Sequence, residues 1–278
     1  MRNLLATDFM RLWKSKAFWG CFAAGIFMCL ATTLGDYHYL QVYQDPKPLD
    51  EVFFNNIPLM GLLSAAFVSL FLGADFSYGT IRNKISAGYK REQIYLSGWL
   101  VCTSGILIIL AAMLGGTALI GIPLFGMFER KPQEIFLLTA VCFLVIAAFT
   151  GLFVMVVMAV HERAVSAVLC LALFLLMTFP SSLLESRLHE EKIQYSYAAV
   201  DENGVPTLVE EGPNPRYIGG IKRQILLVIH NVNLPGQTSQ ISNLDFLTNP
   251  AEMMLCSAGV LLVTTGIGIL IFKRKDMK

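Results

Sequence analysis

Charge is scarce in this 278-residue chain: 15% of its residues are Asp, Glu, Lys or Arg, against roughly a quarter in a soluble globular domain. With 55% hydrophobic residues and a mean hydropathy of +0.60, that scarcity excludes a soluble enzyme. Neither sign dominates, since 21 Lys and Arg against 20 Asp and Glu give a net charge of +1, so no global basic field exists to hold nucleic acid. Paired cysteines are missing too. Cys21, Cys29, Cys102, Cys142, Cys170 and Cys256 lie singly in apolar runs, with no C-x-x-C pair and no histidine at ligand spacing, and read as small packing residues. The two longest polar segments contain no cysteine, which leaves neither a disulfide framework nor a structural zinc site to hold them.

Ionisable residues are also absent at mid-depth in the apolar runs; Asp75 and Glu162 sit at run ends. Proton and ion relays leave such residues inside a membrane, which counts against a pump, a voltage sensor or a proton-coupled carrier. His38, His161, His189 and His230 fall in loops far apart, and Ser104 has no partner to activate it. No catalytic constellation follows, so the chain is not expected to be an enzyme. Gly115-Gly116-Thr117 lacks the lysine and spacing of a phosphate loop and reads as helix packing. Any ATP must be bound by another chain, and no cofactor or metal is expected in this one.

What the sequence does have is length in its apolar runs. A crossing helix needs about 20 mostly apolar residues, and six runs qualify: Ala17–Leu34, Ile57–Ala74, Tyr95–Gly116 with an extension to Phe125, Ile135–Val160, Ala164–Pro180 and Met253–Phe272. The fold class is an all-α polytopic membrane protein with six transmembrane helices. The first run has no small-x-small cleavage site and is preceded by Asp8 as well as bases, so it is expected to be retained. Arg2, Arg11, Lys14 and Lys16, then Arg82, Lys84, Lys90 and Arg91, then Arg163, then Lys273, Arg274, Lys275 and Lys278 all fall on one side of six spans. The other side has Lys47, Arg130 and Lys131, plus bases offset by acids in its longest loop. The positive-inside rule puts both termini in the cytoplasm.

Two segments outside the runs have patterns of their own. In residues 2–16, Leu5, Phe9, Leu12 and Trp13 recur at helical spacing while Asp8, Arg11 and Lys14 take the other face, as in a helix lying at the membrane interface and bending into the first span; the alternative is a plain basic tail. The loop from Ser181 to Ala251 is too long for a structureless connection. Tyr195, Tyr197 and Val200 lead into Asp201-Glu202-Asn203-Gly204 and then Val205, Leu208 and Val209, a hairpin signal. From Tyr217 to Asn231, Ile221, Ile225, Leu226 and Ile229 keep helical spacing until Leu234-Pro235-Gly236 stops the run. The expectation is a small α+β extracellular insertion of one hairpin and one amphipathic helix, the helix lying on the membrane for want of a core to cover Ile225, Leu226 and Val228. The chain then divides into 1–180, the outer loop 181–251, and a last span with basic tail, 252–278. No three-plus-three repeat appears, which weakens a secondary carrier.

The informative stretch joins the second and third spans: Asp75-Phe76-Ser77-Tyr78-Gly79-Thr80-Ile81-Arg82-Asn83-Lys84-Ile85-Ser86-Ala87-Gly88. Gly79 can break the outgoing helix, Thr80 can cap a new short one and Gly88 can end it. The result is a short basic helix with Ile81 and Ile85 on one face and Arg82 and Lys84 elsewhere, a shape that a cytoplasmic partner can grip. A positive-inside turn is the other reading.

At Asp75 through Lys84 the sequence resembles the permease subunits of bacterial type-2 ATP-binding-cassette (ABC) exporters, whose loop reads acid, three aromatic or polar residues, then Gly-Thr-Ile-Arg-Asn-Lys. Gly219-Gly220-Ile221-Lys222-Arg223, Leu234-Pro235-Gly236-Gln237 and the ending from Phe272 to Lys278 agree. The resemblance implies an elbow helix over Leu5–Lys16, a coupling helix over Phe76–Ala87, a second permease (self or related) and two cytoplasmic ATPase subunits that hold ATP and Mg. It implies that Ile81 and Ile85 enter an ATPase groove with Arg82 and Lys84 at its rim. The expected function is export of a hydrophobic or amphipathic cargo, such as a peptide, an antimicrobial, a lipid-like molecule or a drug, across the bacterial plasma membrane among membrane lipid. A membrane sensor or scaffold that binds an extracellular peptide is the alternative, with a secondary carrier third.

Overall fold

Backbone groups in apolar surroundings must bond to one another, and each of the six apolar runs lies within a long helix. The computed structural model describes residues 1–45, 47–160, 162–200 and 206–274, with the backbone path alone for 194–200 and 206–211. Its helices are α1 (Arg2–Lys14), α2 (Lys16–Tyr43), α3 (Leu49–Phe54), α4 (Ile57–Ser77), α5 (Thr80–Ser86), α6 (Arg91–Phe125), α7 (Pro132–Val160), α8 (Arg163–Leu188), α9 (Gly220–Val232), α10 (Leu234–Ser242) and α11 (Pro250–Arg274). Strands β1 (Ile193–Val200) and β2 (Pro206–Pro213) form an antiparallel pair. Six helices, with α3 and α4 counted together, are long and apolar enough to cross a membrane. The chain is a multi-pass membrane protein.

The helices overshoot the apolar runs. α2 continues past Leu34 to Tyr43 and α8 past Pro180 to Leu188, because a helix once started propagates through polar residues at little cost. Pro180 cannot donate a backbone bond. Nearby, Asn233 Nδ2 donates to the Met177 carbonyl at 2.9 Å, so α8 is braced from outside in this region. The expected boundary at residue 180 therefore falls inside a helix.

The α3–α4 unit and α7 form the centre of the bundle, while α8 and α11 leave most of their surface outside. Apolar side chains alone give no preference for protein over lipid, so close approach at small residues matters. A Cβ added at Gly61 would sit 2.5 Å from Phe174 Cε2, and one at Gly151 would sit 2.9 Å from Leu261 Cδ1. Both glycines let a neighbouring side chain of α8 or α11 rest on a helix backbone.

At the end of the bundle formed by the C-terminus of α8 and the N-terminus of α11 lie the hairpin, α9 and α10. The expected turn Asp201-Glu202-Asn203-Gly204 with Val205, His161, and the tail residues Lys275, Asp276, Met277 and Lys278 lie outside the described residues. α9 leaves Ile221, Ile225, Val228 and Ile229 exposed, while Leu226 is half-buried. Leu234-Pro235-Gly236, read in the sequence as a stop, instead opens α10. Pro235 stands in the first turn, where a missing N–H costs nothing. α10 re-enters the bundle against α4, α7, α8 and α9, with Leu234, Gln237, Thr238 and Ile241 buried.

Candidate functional site

At the opposite, basic end the chain leaves α4 at Tyr78, reverses on Gly79 at φ 66° and runs as α5 for 7 residues. Gly88 follows at φ 85°. A side chain at either position would be strained, so the two glycines set the length of the helix. Thr80, expected as the cap, is the first helical residue, and Gly79 holds the cap position. The expected Phe76–Ala87 helix is correspondingly shorter, because Phe76 belongs to the last turn of α4 and packs against the core.

α5 is tied to α1 by charge. Lys84 Nζ donates to Asp8 Oδ1 at 2.7 Å, and Ser97 Oγ of α6 donates to Asp8 Oδ2 at 2.7 Å. Arg11 donates to Asp75 Oδ1. Lys84 also stands 3.6 Å from Asp75 Oδ2, and Arg11 stands 3.8 Å from Asp8 Oδ1. The Arg11 guanidinium lies 4.5 Å from the Phe71 ring centroid. Two carboxylates, 1% and 3% exposed, thus face two cations; the quartet joins α1, α4 and α5, and Ser97 adds α6. Buried charges of this kind persist only when paired and hydrogen-bonded.

The quartet corrects the expected faces of α1. Leu4, Asp8 and Leu12 are its buried residues, one turn apart on a single stripe. Asp8, assigned to the watery face with Arg11 and Lys14, is turned inward because Lys84 and Ser97 satisfy its carboxylate. Arg11 is half-buried with it. Leu5 and Phe9 pack partly against the core of the bundle, and Trp13 is 50% exposed. Its carbonyl accepts the Trp19 indole N–H at 2.8 Å.

The expected partner-gripping residues are redistributed as well. Ile81 is 2% exposed and belongs to the core, Ile85 is half-buried against it, and Lys84 is committed to Asp8. These three cannot enter a groove on another protein without leaving their own. The outward face carries Arg82, Asn83, Ser86 and Ala87, with Tyr78 fully offered beside them at 76% exposure.

A second polar network, unnoticed in the sequence, lies where α10 enters the bundle. Thr248 N–H donates to Gln240 Oε1 at 3.3 Å, which fixes the orientation of that amide. Gln240 Nε2 therefore faces His230 Nδ1 at 2.8 Å and Asn231 Oδ1 at 2.9 Å. Nδ1 must accept, so the ring proton is on Nε2 and is donated to Ser181 Oγ at 3.3 Å. Ser257 Oγ of α11 donates to Gln237 Oε1 at 2.6 Å. Burial lowers the His230 pKa, against the opposing pull of Glu185, and burial likewise lowers that of His189. His230 is a neutral structural group holding α8, α9 and α10 together. The only sequence signal was a concentration of Asn, Gln, Ser and Thr between Asn231 and Asn249.

Among the described residues no group of three or more His, Cys, Asp or Glu side chains is placed to hold a metal ion. No protein-family model matches the chain, and no curated protein matches it.

Proposed function

We propose that this chain is the permease subunit of an ATP-driven exporter of the type-2 ABC kind, seated in a bacterial plasma membrane with both termini cytoplasmic. The observation that carries the proposal is the charged clamp between α5 and α1. A short helix outside the membrane, fastened to a second helix and to the ends of two spans, is a lever. In this reading α1 is the elbow, α5 the coupling helix, and the segment from β1 through α10 the extracellular insertion. Two permeases, identical or related, enclose the pathway. Each α5 rests on one of two ATPase subunits, which supply ATP and Mg.

Contact with the ATPase passes through Tyr78, Arg82, Asn83 and Ser86 rather than through Ile81 and Ile85. ATP-bound and free ATPase pairs prefer different positions of α5, and that difference in affinity supplies the work. Because Lys84 ties α5 to Asp8 and Arg11 ties α1 to Asp75, a displaced α5 carries α1, α4 and α6 with it. Spans without mid-depth charge suit a hydrophobic or amphipathic cargo.

The test is affinity purification of the tagged chain in mild detergent with ATPase activity assayed. An ATPase subunit should copurify with the wild type and be lost in Tyr78→Asp/Asn83→Asp while the permease stays folded. Ile81→Asp should instead impair folding, because it buries a carboxylate. Failure of any ATPase to copurify, even after crosslinking in the native membrane, would falsify the exporter. The sensor reading would then gain ground, since the uncovered apolar face of α9 at Ile221, Ile225 and Val228 offers a surface for an extracellular peptide.

A further inference from the structure

We infer that the basic end of the bundle holds a seat for the phosphate of an anionic phospholipid, between α1, α2, α4 and α8. The inference needs only the membrane-spanning architecture and stands whether or not the chain is a transporter. An open cavity of about 530 Å³ is bordered there by Arg11, Lys14, Lys16, Asp75 and Arg163, within the ~300–1,000 Å³ typical of small-ligand sites. Arg11 is answered by Asp75. Among the described residues Lys14, Lys16 and Arg163 have no acidic partner. Three uncompensated cations therefore face one cavity in a chain whose net charge is only +1. The first turn of α2, a helix of 28 residues, also lines it and adds a positive dipole end.

A lipid phosphate fits better than a soluble one because of what adjoins the cavity. A second space of about 560 Å³ shares Leu70 and Arg163 with the first and continues past Ala164 and Ala167, with Glu162 at its edge. A cationic pocket adjoining a space between α4 and α8, where Leu70, Ala164 and Ala167 lie beside Ser77, Glu162 and Arg163, matches a phosphate with acyl chains attached. The depth agrees: Trp13 and Trp19, about half exposed, flank the hinge between α1 and α2, and exposed tryptophans mark the headgroup level. The Arg163 stem is held against Gly73, where an added Cβ would meet its Cγ at 3.1 Å, so the guanidinium is steadied at the junction of the two spaces.

The test is native mass spectrometry of the detergent-purified full chain titrated with phosphatidylglycerol or phosphatidylcholine. Phosphatidylglycerol should bind at least about tenfold more tightly. Lys16→Gln/Arg163→Gln, which keeps the stem on Gly73, should lose about tenfold or more of that affinity, whereas Arg2→Gln/Arg274→Gln on the same end should change it less than about twofold. Equal losses in the two variants, or equal binding of the two lipids, overturn the site. Displacement of phosphatidylglycerol by inorganic phosphate at equal concentration overturns the lipid as occupant. Should the first variant misfold, amine labelling of the wild type in nanodiscs decides: phosphatidylglycerol should protect Lys14 and Lys16 but not Lys90, and unchanged labelling refutes the seat.

Discussion

Removing the Asp8 carboxylate tests the clamp most directly. In Asp8→Ala, Ser97 Oγ loses its acceptor, and Lys84, with 11% of its side chain exposed, keeps only the Asp75 oxygen at 3.6 Å. Breaking a buried ion pair from one side costs about 3–5 kcal/mol. Since Asp75 remains within reach, the expected loss lies at the low end, about 3 kcal/mol. Adding Lys84→Met removes the stranded cation and leaves Arg11 and Asp75 balanced. Apolar replacement of both partners is close to neutral, so about 2 kcal/mol should return, the remainder being roughly the orphaned Ser97 hydroxyl. The assay is an unfolding titration with SDS in mixed micelles, followed by tryptophan fluorescence, since Trp13 and Trp19 sit beside the hinge. A loss below about 0.5 kcal/mol in Asp8→Ala, or a double variant no more stable than the single one, refutes the clamp as a buried electrostatic unit.

Three further outcomes are expected. Burial lowers the His230 pKa below its ordinary 6.5, so the unfolded chain takes up the proton first: stability should be flat above that pH and fall as pH drops from there toward the folded-state value. His230→Gln should remove the His230 share of this limb in pH-dependent unfolding, leaving the share of His189, whose pKa burial lowers in the same direction. Gly236→Ala drives a Cβ into the His230 carbonyl, whereas nothing lies near Gly259; the first should cost about 2 kcal/mol or more by overpacking and Gly259→Ala should be neutral in the same titration. In a topology assay, a membrane-impermeant maleimide added to intact cells should label Lys131→Cys and spare Lys90→Cys; the reverse pattern would overturn the orientation that the basic loops specify.

Several features are legible in the sequence alone. The six spans follow from run length alone, because a backbone in hydrocarbon must bond to itself and the helix is the local way to do so. Gly79 and Gly88 marked the ends of α5, since left-handed turns select glycine regardless of what surrounds them. The amphipathic α9 was visible in the spacing of Ile221, Ile225 and Ile229. Less legible was α10, because Leu234-Pro235-Gly236 is equally a stop signal and a helix start, and only packing against α4, α7 and α8 chooses between them.

Local pattern thus determined how many helices are long and apolar enough to cross a membrane, where α5 begins and ends, and which end of the bundle is basic, each being a property of residues near one another in the chain. Which way the polar side chains face was decided by tertiary structure. Asp8 is buried because Lys84 and Ser97, 76 and 89 residues away, meet its two oxygens. His230 is buried because Ser181, 49 residues away, accepts the hydrogen bond from its ring N–H. Polarity alone sends such groups to water; burial becomes tolerable only when distant partners replace the hydrogen bonds that water would have made. That replacement turned Lys84 inward, on the side where Ile81 joins the core, and left Arg82 and Asn83 on the outer face of α5 with Tyr78 exposed beside it.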